Sequence, residues 1–217
     1  MFKRLLIMTV VLSLMVTPVY AGQFVETDIL SQETFSDINE GDWFVEDISF
    51  MMRSGIINGY PDGTFRPHAK LTYLDAIVLL IKTAEPDLLQ FELETDPSLG
   101  GKHWATKHLE IALRLWIIEE KHLEILDKEI TRLEFANLID AAANFGGINQ
   151  YLEPFSDTND VAANILYSEG ITKGVEVDGK IYFYPNKTLS RAEAATFMRR
   201  LKDVHVSSEY VSDYDGI

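Results

Sequence analysis

Three apolar, alanine-rich stretches with helical spacing recur along the chain, and each begins just after a hydroxyl residue. These hydroxyl residues are Thr72, Thr131 and Ser190, which follow one another at a constant spacing of 59 residues. Apolar side chains that recur every three to four residues predict a helix with one buried face. We therefore expect helices that start near positions 73, 132 and 191, pack together and bury Ile77, Leu80, Phe135, Leu138, Ala195 and Met198.

A shorter amphipathic segment precedes each of these stretches, so the chain consists of three units of helix, connection and helix. The units are placed at 35–86, 96–144 and 153–204. Turn residues mark two connections, from Gly59 to Gly63 in the first unit and at Asp178-Gly179 in the third. The predicted fold is therefore mainly α, with three helical repeats that share one bundle and short β or turn connections.

The two ends of the chain differ from the repeats. Lys3 and Arg4 precede an apolar run from Leu5 to Val16, and Ala21 offers a cleavage point, so residues 1–21 are predicted to be a signal peptide. An uncleaved membrane anchor is the alternative, although the run is shorter than the ~20 residues that a span needs. Cleavage would leave Gly22 as the first residue and no transmembrane span. The acidic tail 205–217 is expected to be disordered.

The composition excludes several classes of function. The chain has 34 acidic and 19 basic residues and a net charge of -15, which disfavours general adhesion to nucleic acid or to an anionic membrane. The absence of cysteine excludes disulfide scaffolds, thiolate metal sites and cysteine nucleophiles. Since no nucleophile elbow, zinc-binding helix or phosphate-binding glycine loop occurs either, we expect neither an enzyme nor a cofactor or metal site.

The residues that open the three predicted helices combine a helix cap with a cation. Ser190 with Glu193 has the spacing of a capping box, as have the equivalent pairs in the other two repeats. Arg132 and Arg191 occupy the first helical position, where a cation opposes the helix dipole. Two roles explain them: a site for a carboxylate or phosphate beside unpaired amide donors, or an ion pair between repeats.

Several aromatic residues lie close to the predicted connections. Trp43 and Trp104 each open an amphipathic segment, where an indole either packs in the core or stacks on a sugar ring. Tyr60 follows Gly59 in a turn and leaves the same two alternatives open. Residues 182–184 alternate as in a short strand and are expected to be packing residues.

Together, these features resemble three S-layer homology repeats, the modules that anchor envelope proteins to the bacterial cell wall. The first repeat matches the family pattern at Phe35, Asp37, Trp43 and from Gly55 to Pro67. The second matches at Trp104 and from Thr131 to Glu134. The third matches at Phe155, Asp157, Gly170, Gly174, Phe183, Pro185 and from Ser190 to Glu193.

The resemblance implies a pseudo-threefold, three-pronged module in which one helix of each repeat joins a central bundle. It also implies grooves between repeats that bind an acidic, often pyruvylated, secondary cell-wall polysaccharide. The residues of this chain at the family's groove positions are Asp37, Trp43, Gly59, Tyr60, Trp104, Arg132, Asp157 and Arg191. The resemblance further implies a non-catalytic protein that is secreted and bound to the cell wall or S-layer.

Each repeat departs from the family pattern at some position. Tyr73 stands where the first repeat should have its arginine, Trp116 replaces a connection glycine in the second, and the third has no tryptophan near its start. Because no repeat carries the full set, we expect one or two working grooves rather than three. The alternative function is a structural envelope protein that has lost glycan binding and contacts other surface proteins.

Overall fold

The computed structural model describes residues 35–91, 104–145 and 151–204. Its α-helices are α1 (Val45–Arg53), α2 (Tyr73–Ala84), α3 (Thr106–Arg114), α4 (Arg132–Ala143), α5 (Val161–Ser168) and α6 (Arg191–Asp203). Short 3-10 helices span Asp87–Gln90 and Glu120–Ile125, and one antiparallel hairpin joins β1 (Val175–Val177) to β2 (Lys180–Tyr182). The prediction of a mainly α fold is confirmed. The predicted signal peptide and acidic tail lie outside the described residues.

Capping boxes start the second helix of every repeat, as predicted. The hydroxyl oxygen of Ser190 accepts a hydrogen bond from the Glu193 amide at 3.2 Å, while the Glu193 carboxylate accepts from the Ser190 amide at 3.0 Å. The same reciprocal pairs form at the starts of α2 and α4. Each box satisfies amide groups that a helix terminus would otherwise leave unpaired.

A closed ring of backbone hydrogen bonds joins the three repeats at the residues that precede these caps. The Leu71 amide donates to the Leu189 carbonyl (3.0 Å), the Leu189 amide to the Ile130 carbonyl (2.9 Å), and the Ile130 amide to the Leu71 carbonyl (3.0 Å). All three side chains are buried. The ring therefore lies on the pseudo-threefold axis of the module.

The second helices form the centre and each first helix packs outside them. α2 contacts both α4 and α6, and the rings of Phe135 in α4 and Phe197 in α6 pack edge to face with centroids 6.0 Å apart. α3 packs on α2, α5 packs on α4, and α1 packs on α6, so every first helix covers the preceding repeat in cyclic order. The predicted core positions are confirmed as buried: Ile77, Leu80, Phe135, Leu138, Ala195 and Met198.

The third connection is the predicted hairpin. Asp178 and Gly179 form its turn with φ values of 49° and 75°, the left-handed pair that a tight two-residue hairpin requires. Of the three residues expected to pack, Phe183 is fully buried and Tyr182 is half-buried, whereas Tyr184 is exposed. Among the described residues, no helix combines the length and the apolar character needed to cross a membrane.

Candidate functional site

The opening aspartates, which the family pattern assigns to the grooves, brace the connections of their own repeats. Asp37 accepts hydrogen bonds from the amides of Phe65 (2.8 Å) and Arg66 (2.7 Å). Asp157 accepts at 2.8 Å from the two equivalent amides in the third repeat. A charged acceptor for two successive amides holds Arg66 in a left-handed conformation, with φ at 60°. Both carboxylates thus shape the backbone beside a groove.

Gly59 and Tyr60 form the wall of the first connection. A Cβ atom on Gly59 would lie 1.9 Å from Cε1 of Phe35, so this position requires a glycine for close packing. The Tyr60 ring lies between two guanidinium groups, with Arg66 4.0 Å and Arg191 5.0 Å from its centroid. Tyr60 of the first repeat therefore lies beside Arg191 of the third repeat, and both are residues that the sequence assigned to a groove.

Arg191 reaches from the third repeat into the connection of the first. Its Nε donates to the Phe65 carbonyl at 3.0 Å and its Nη2 donates to the Asn58 carbonyl at 3.2 Å. The guanidinium carbon lies 4.7 Å from the centroid of the Phe65 ring. Among the described residues, no carboxylate oxygen lies within ion-pair distance of this guanidinium. Neutral carbonyl groups fix its orientation, and within the described part of the chain its charge has no anionic partner.

The first groove is the pocket that contains Arg191. Its cavity volume is about 170 Å³, and it draws residues from all three repeats. Its polar lining comprises Asn58, Asp75, Lys82 and Arg191, its apolar lining includes Ile56, Ile57, Val78 and Leu79, and Trp104 also lines it. Lys82 donates to the Ile56 carbonyl at 3.2 Å and adds a second cation. The indole of Trp104 is 61% exposed, so its face is open to a ligand.

The amide donors at the start of each second helix are occupied, which corrects the expectation of unpaired donors beside the arginines. The Arg191 and Ala192 amides each donate at 3.0 Å to carbonyls of the first connection, those of Ala69 and Pro67. The amides of Arg132 and Leu133 donate in the same way to the third connection. Any anion bound here must therefore use side chains such as Arg191, because the helix terminus serves to join repeats.

Arg132 occupies the equivalent position in the third groove, which α6, the third connection and the start of α1 form by the pseudo-threefold relation. Its Nε donates to the Phe183 carbonyl at 2.8 Å, and its Nη1 lies 3.3 Å from the carboxylate of Glu193. The residue is only 7% exposed, and burial lowers the pKa of its guanidinium. The ion pair between repeats, one of the two roles considered from the sequence, is present here.

The carboxylate of Glu193 closes this third groove electrostatically. One oxygen forms the helix cap with Ser190, while the other bonds Arg132 and also Lys187 at 2.9 Å. Burial raises the pKa of Glu193, but the hydrogen bonds from Lys187 and Ser190 outweigh it and hold that pKa below its ordinary value. In the first groove the shorter Asp75 replaces Glu193, and Ala69 stands in place of the lysine.

The second groove has an aromatic pair where the others have an arginine. Tyr73 is buried and stacks on His122 of the second connection, with ring centroids 5.7 Å apart and an interplanar angle of 9°. Burial and the nearby Glu134 raise the pKa of Tyr73 to about 12, so the phenol stays neutral. A stacked aromatic pair thus stands in place of the arginine, and the stacking adds to the backbone hydrogen bonds of Tyr73 and Leu74 that join the two repeats.

The two tryptophans at the starts of the first helices lie at the surface. Trp43 is 63% exposed and Trp104 is 61% exposed, so the interpretation of these residues as core packing is wrong. Sequence reasoning also missed Asn58 and Lys82. The signal for Lys82 was present in the sequence, because Arg200 occupies the same place in α6 and donates to the equivalent carbonyl, that of Ile171, at 3.2 Å.

Comparison with known proteins places these features in a family. The S-layer homology domain matches residues 34–77 and 154–195, which leaves the divergent second repeat outside the matched regions. The chain is 30% identical over 176 residues to the S-layer protein EA1 of Bacillus anthracis, covering 76% of this chain and 20% of that protein. It is 27% identical over 176 residues to an S-layer protein of Bacillus licheniformis, covering 76% and 19%.

A third relative carries a different name. It is the cellulosome-anchoring protein of Acetivibrio thermocellus, which is 27% identical over 150 residues, or 63% of this chain and 33% of that protein. The chain thus spans about a fifth to a third of the length of these three relatives. The chain therefore carries S-layer homology domains at residues 34–77 and 154–195, and over 76% of its length it is similar to bacterial S-layer proteins.

Proposed function

We propose that this chain is a non-catalytic module that anchors its protein to the cell wall by binding an acidic secondary wall polysaccharide in the first groove. The observation that carries the proposal is Arg191, a held guanidinium without a carboxylate partner among the described residues. Lys82 and the exposed Trp104 lie in the same groove. The anchoring role in the name of the Acetivibrio thermocellus relative supports the same role for this module.

The N–H donors of Arg191 that make no contact to the two carbonyl groups suit a carboxylate. A guanidinium has five N–H donors, and the two carbonyl contacts use the one on Nε and one on Nη2. The three that remain on Nη1 and Nη2 form the planar fork that binds a carboxylate with two parallel hydrogen bonds. A pyruvyl substituent on a sugar supplies such a carboxylate, and Lys82 adds attraction for the same charge.

Trp104 supplies the complementary contact to the sugar itself. Its largely exposed indole lines the groove together with Arg191. A large amphipathic ring buries apolar surface at little entropic cost because it has few rotatable bonds. One acidic sugar therefore meets an aromatic face and a cationic fork in one groove. The chain's net charge of -15 makes these local cations necessary for any anionic ligand.

The other two grooves lack one part or the other of this arrangement. The third groove has Trp43 at the equivalent place, but its arginine is already paired with Glu193. The second groove has Tyr73 instead of an arginine, and Thr158 stands where the other repeats have their tryptophan. We therefore assign polysaccharide binding to the first groove and a structural role to the other two.

Two pairs of matched variants test the assignment by binding to wall sacculi, with sacculi stripped of their secondary polymer as the background. Trp104→Ala should weaken binding, whereas Trp43→Ala, equally exposed and equally placed, should bind like the parent. Arg191→Ala should weaken binding about tenfold or more, since a charge-assisted hydrogen bond contributes roughly 1.5–3 kcal/mol. Arg191→Lys should restore only part of it, because an ammonium group has no planar fork.

Arg132→Ala is the matched control for Arg191→Ala, because Arg132 has the equivalent position but is paired with Glu193. Removal of one partner from a buried ion pair costs about 3–5 kcal/mol, so this variant should melt earlier and lose binding only as it unfolds. Equal affinity for Arg191→Ala and the parent would refute glycan binding by the first groove. Equal affinity would favour the alternative, a structural envelope protein that contacts other surface proteins. That alternative draws support from the second and third grooves, where the arginine is replaced by Tyr73 or paired with Glu193.

A further inference from the structure

Trp116 ends α3 in a conformation that the other two repeats give to glycine. Its φ is 57°, and the residues at the same place in the first and third repeats are Gly55 and Gly170, with φ of 68° and 75°. All three amides close the preceding helix in the same way; that of Trp116 donates to the Leu113 carbonyl at 3.1 Å. A left-handed residue at this position is the ordinary end of a helix, and glycine adopts it without strain.

The helix end fixes this backbone conformation, but a tryptophan there is uncommon, because its side chain strains a conformation that glycine adopts freely. Arg66 and Tyr184 also have positive φ, but an aspartate carboxylate binds both of their amides. Asn144 and Asp178 belong to residue types that tolerate this conformation. Trp116 is bulky and has no such brace. Strained residues of this kind persist where the surrounding structure holds them, and they cluster at ligand-binding and other functional sites.

The side chain of Trp116 is presented to solvent. It is 80% exposed, more than Trp43 or Trp104, and among the described residues no ring or cation stacks on it. Two buried residues, Ile117 and Ile118, follow Trp116 in the chain, and the next three are charged and exposed: Glu119, Glu120 and Lys121. A single exposed ring does not by itself supply the contiguous apolar area of a protein-docking face. It suits a sugar ring, which has an apolar face for the indole and hydroxyl groups at its rim for the polar neighbours.

We infer that Trp116 is a second stacking platform for the wall polysaccharide, separate from the first groove; the inference rests on the proposed function. Trp104 and Trp116 flank α3, whose nine residues alone span roughly 14 Å at 1.5 Å per residue. A single sugar does not reach both indoles, whereas a polymer does. Trp116 therefore contributes to the affinity for polymer chains and leaves the affinity for a single acidic sugar unchanged.

Trp116→Gly tests this because it removes the ring and the strain together. We expect a higher melting temperature than that of the parent, together with about tenfold weaker binding to purified wall polymer, the size of effect that an interfacial tryptophan has on affinity. Binding of the single acidic sugar released from the same polymer should not change. Trp116→Tyr keeps an aromatic face and should retain more polymer affinity than the glycine variant.

Fluorescence gives an independent measurement because the chain has three tryptophans. In a Trp43→Phe/Trp104→Phe variant, Trp116 is the only indole, and its emission should shift to shorter wavelength when polymer is added. An unshifted emission at saturating polymer would overturn the inference.

The outcomes separate this inference from the function on which it rests. If the parent binds no wall polymer, both fail. If the parent binds and Trp116→Gly binds equally well, the first groove stands and the platform is refuted. Two other results for Trp116→Gly would also refute the platform. One is a loss of affinity together with a lowered melting temperature, and the other is an equal loss of affinity for the single sugar and for the polymer.

Discussion

The length of one acidic side chain separates an open groove from a closed one, and Asp75→Glu should close the first groove. Asp75 and Glu193 occupy the same position of the capping box, three residues after Thr72 and Ser190. Glu193 caps with one oxygen and reaches Arg132 with the other. Asp75 is one methylene group shorter and forms the cap with Thr72 at 2.8 Å without pairing with Arg191. The longer side chain should make both contacts.

The expected loss of ligand affinity follows from the geometry of the third groove. There the Glu193 carboxylate lies 3.3 Å from the guanidinium. Two unit charges about 4 Å apart interact by roughly 4 kcal/mol near a protein surface, whereas an exposed ion pair contributes only about 0.2–1 kcal/mol. Because Asp75 is half-buried, we expect a value of about 1–2 kcal/mol between these limits. A ligand carboxylate that competes with this pair should bind roughly 5–30 times more weakly.

Calorimetric titration with purified wall polymer measures this change in affinity, and thermal melting measures whether the substituted capping box still stabilises the fold. Asp75→Glu should melt no earlier than the parent, since glutamate suits a capping box at least as well as aspartate. Glu134→Asp is the matched control: it changes the same position of the box in the second repeat, where Tyr73 leaves no arginine to compete for. Unchanged affinity of Asp75→Glu, with the melting temperature also unchanged, would refute the account of why the two grooves differ.

Three further predictions concern the stability of the fold. Gly174→Ala should lower the melting temperature more than Gly55→Ala. Both glycines have positive φ, but a Cβ atom at Gly174 would meet neighbours within 3.0 Å, whereas one at Gly55 would face open space. Equal losses of melting temperature would contradict this. Asp157→Asn should cost about 1.5–3 kcal/mol in denaturant unfolding, because the two backbone amides donate to different oxygens of Asp157 and asparagine replaces one of them with an NH2 group that cannot accept. The polymer affinity of the folded fraction should be unchanged. Burial and two neighbouring lysines lower the pKa of His108 in the folded state. As the pH falls below about 6.5, the unfolded state therefore binds a proton at this histidine before the folded state does, and the free energy of unfolding decreases. His108→Leu removes this effect and should give a flatter stability profile between pH 7 and 5 than the parent.

Much of the architecture follows from periodicity and capping chemistry. The spacing of Thr72, Thr131 and Ser190 placed the starts of α2, α4 and α6, because a hydroxyl residue followed three positions later by an acid specifies a helix start locally. The burial of the apolar faces follows from the helical period. Such local rules apply without knowledge of what lies across the core.

The site was less predictable because its properties depend on contacts between repeats. Arg132 and Arg191 look equivalent in the sequence, yet only Arg132 meets a carboxylate, since Glu193 lies opposite it and Asp75 lies near Arg191. The exposure of Trp43 and Trp104 depends on which neighbouring helix each start abuts, which the spacing does not determine. The choice among the three grooves thus required the structure.

The ring of Leu71, Ile130 and Leu189 fixes the size of the module. An open solenoid grows or shortens by whole repeats because each repeat contacts only its neighbours. Here the last repeat bonds back to the first across 118 residues, at Leu71 and Leu189, so a fourth copy would have no free edge to join and a two-repeat fragment would leave unpaired backbone groups in the core. Folding must bring distant segments together before these bonds form, which makes the three repeats one cooperative unit. A groove can therefore carry another residue in place of its arginine, as at Tyr73, while the ring stays closed, whereas deletion of a whole repeat would open the ring.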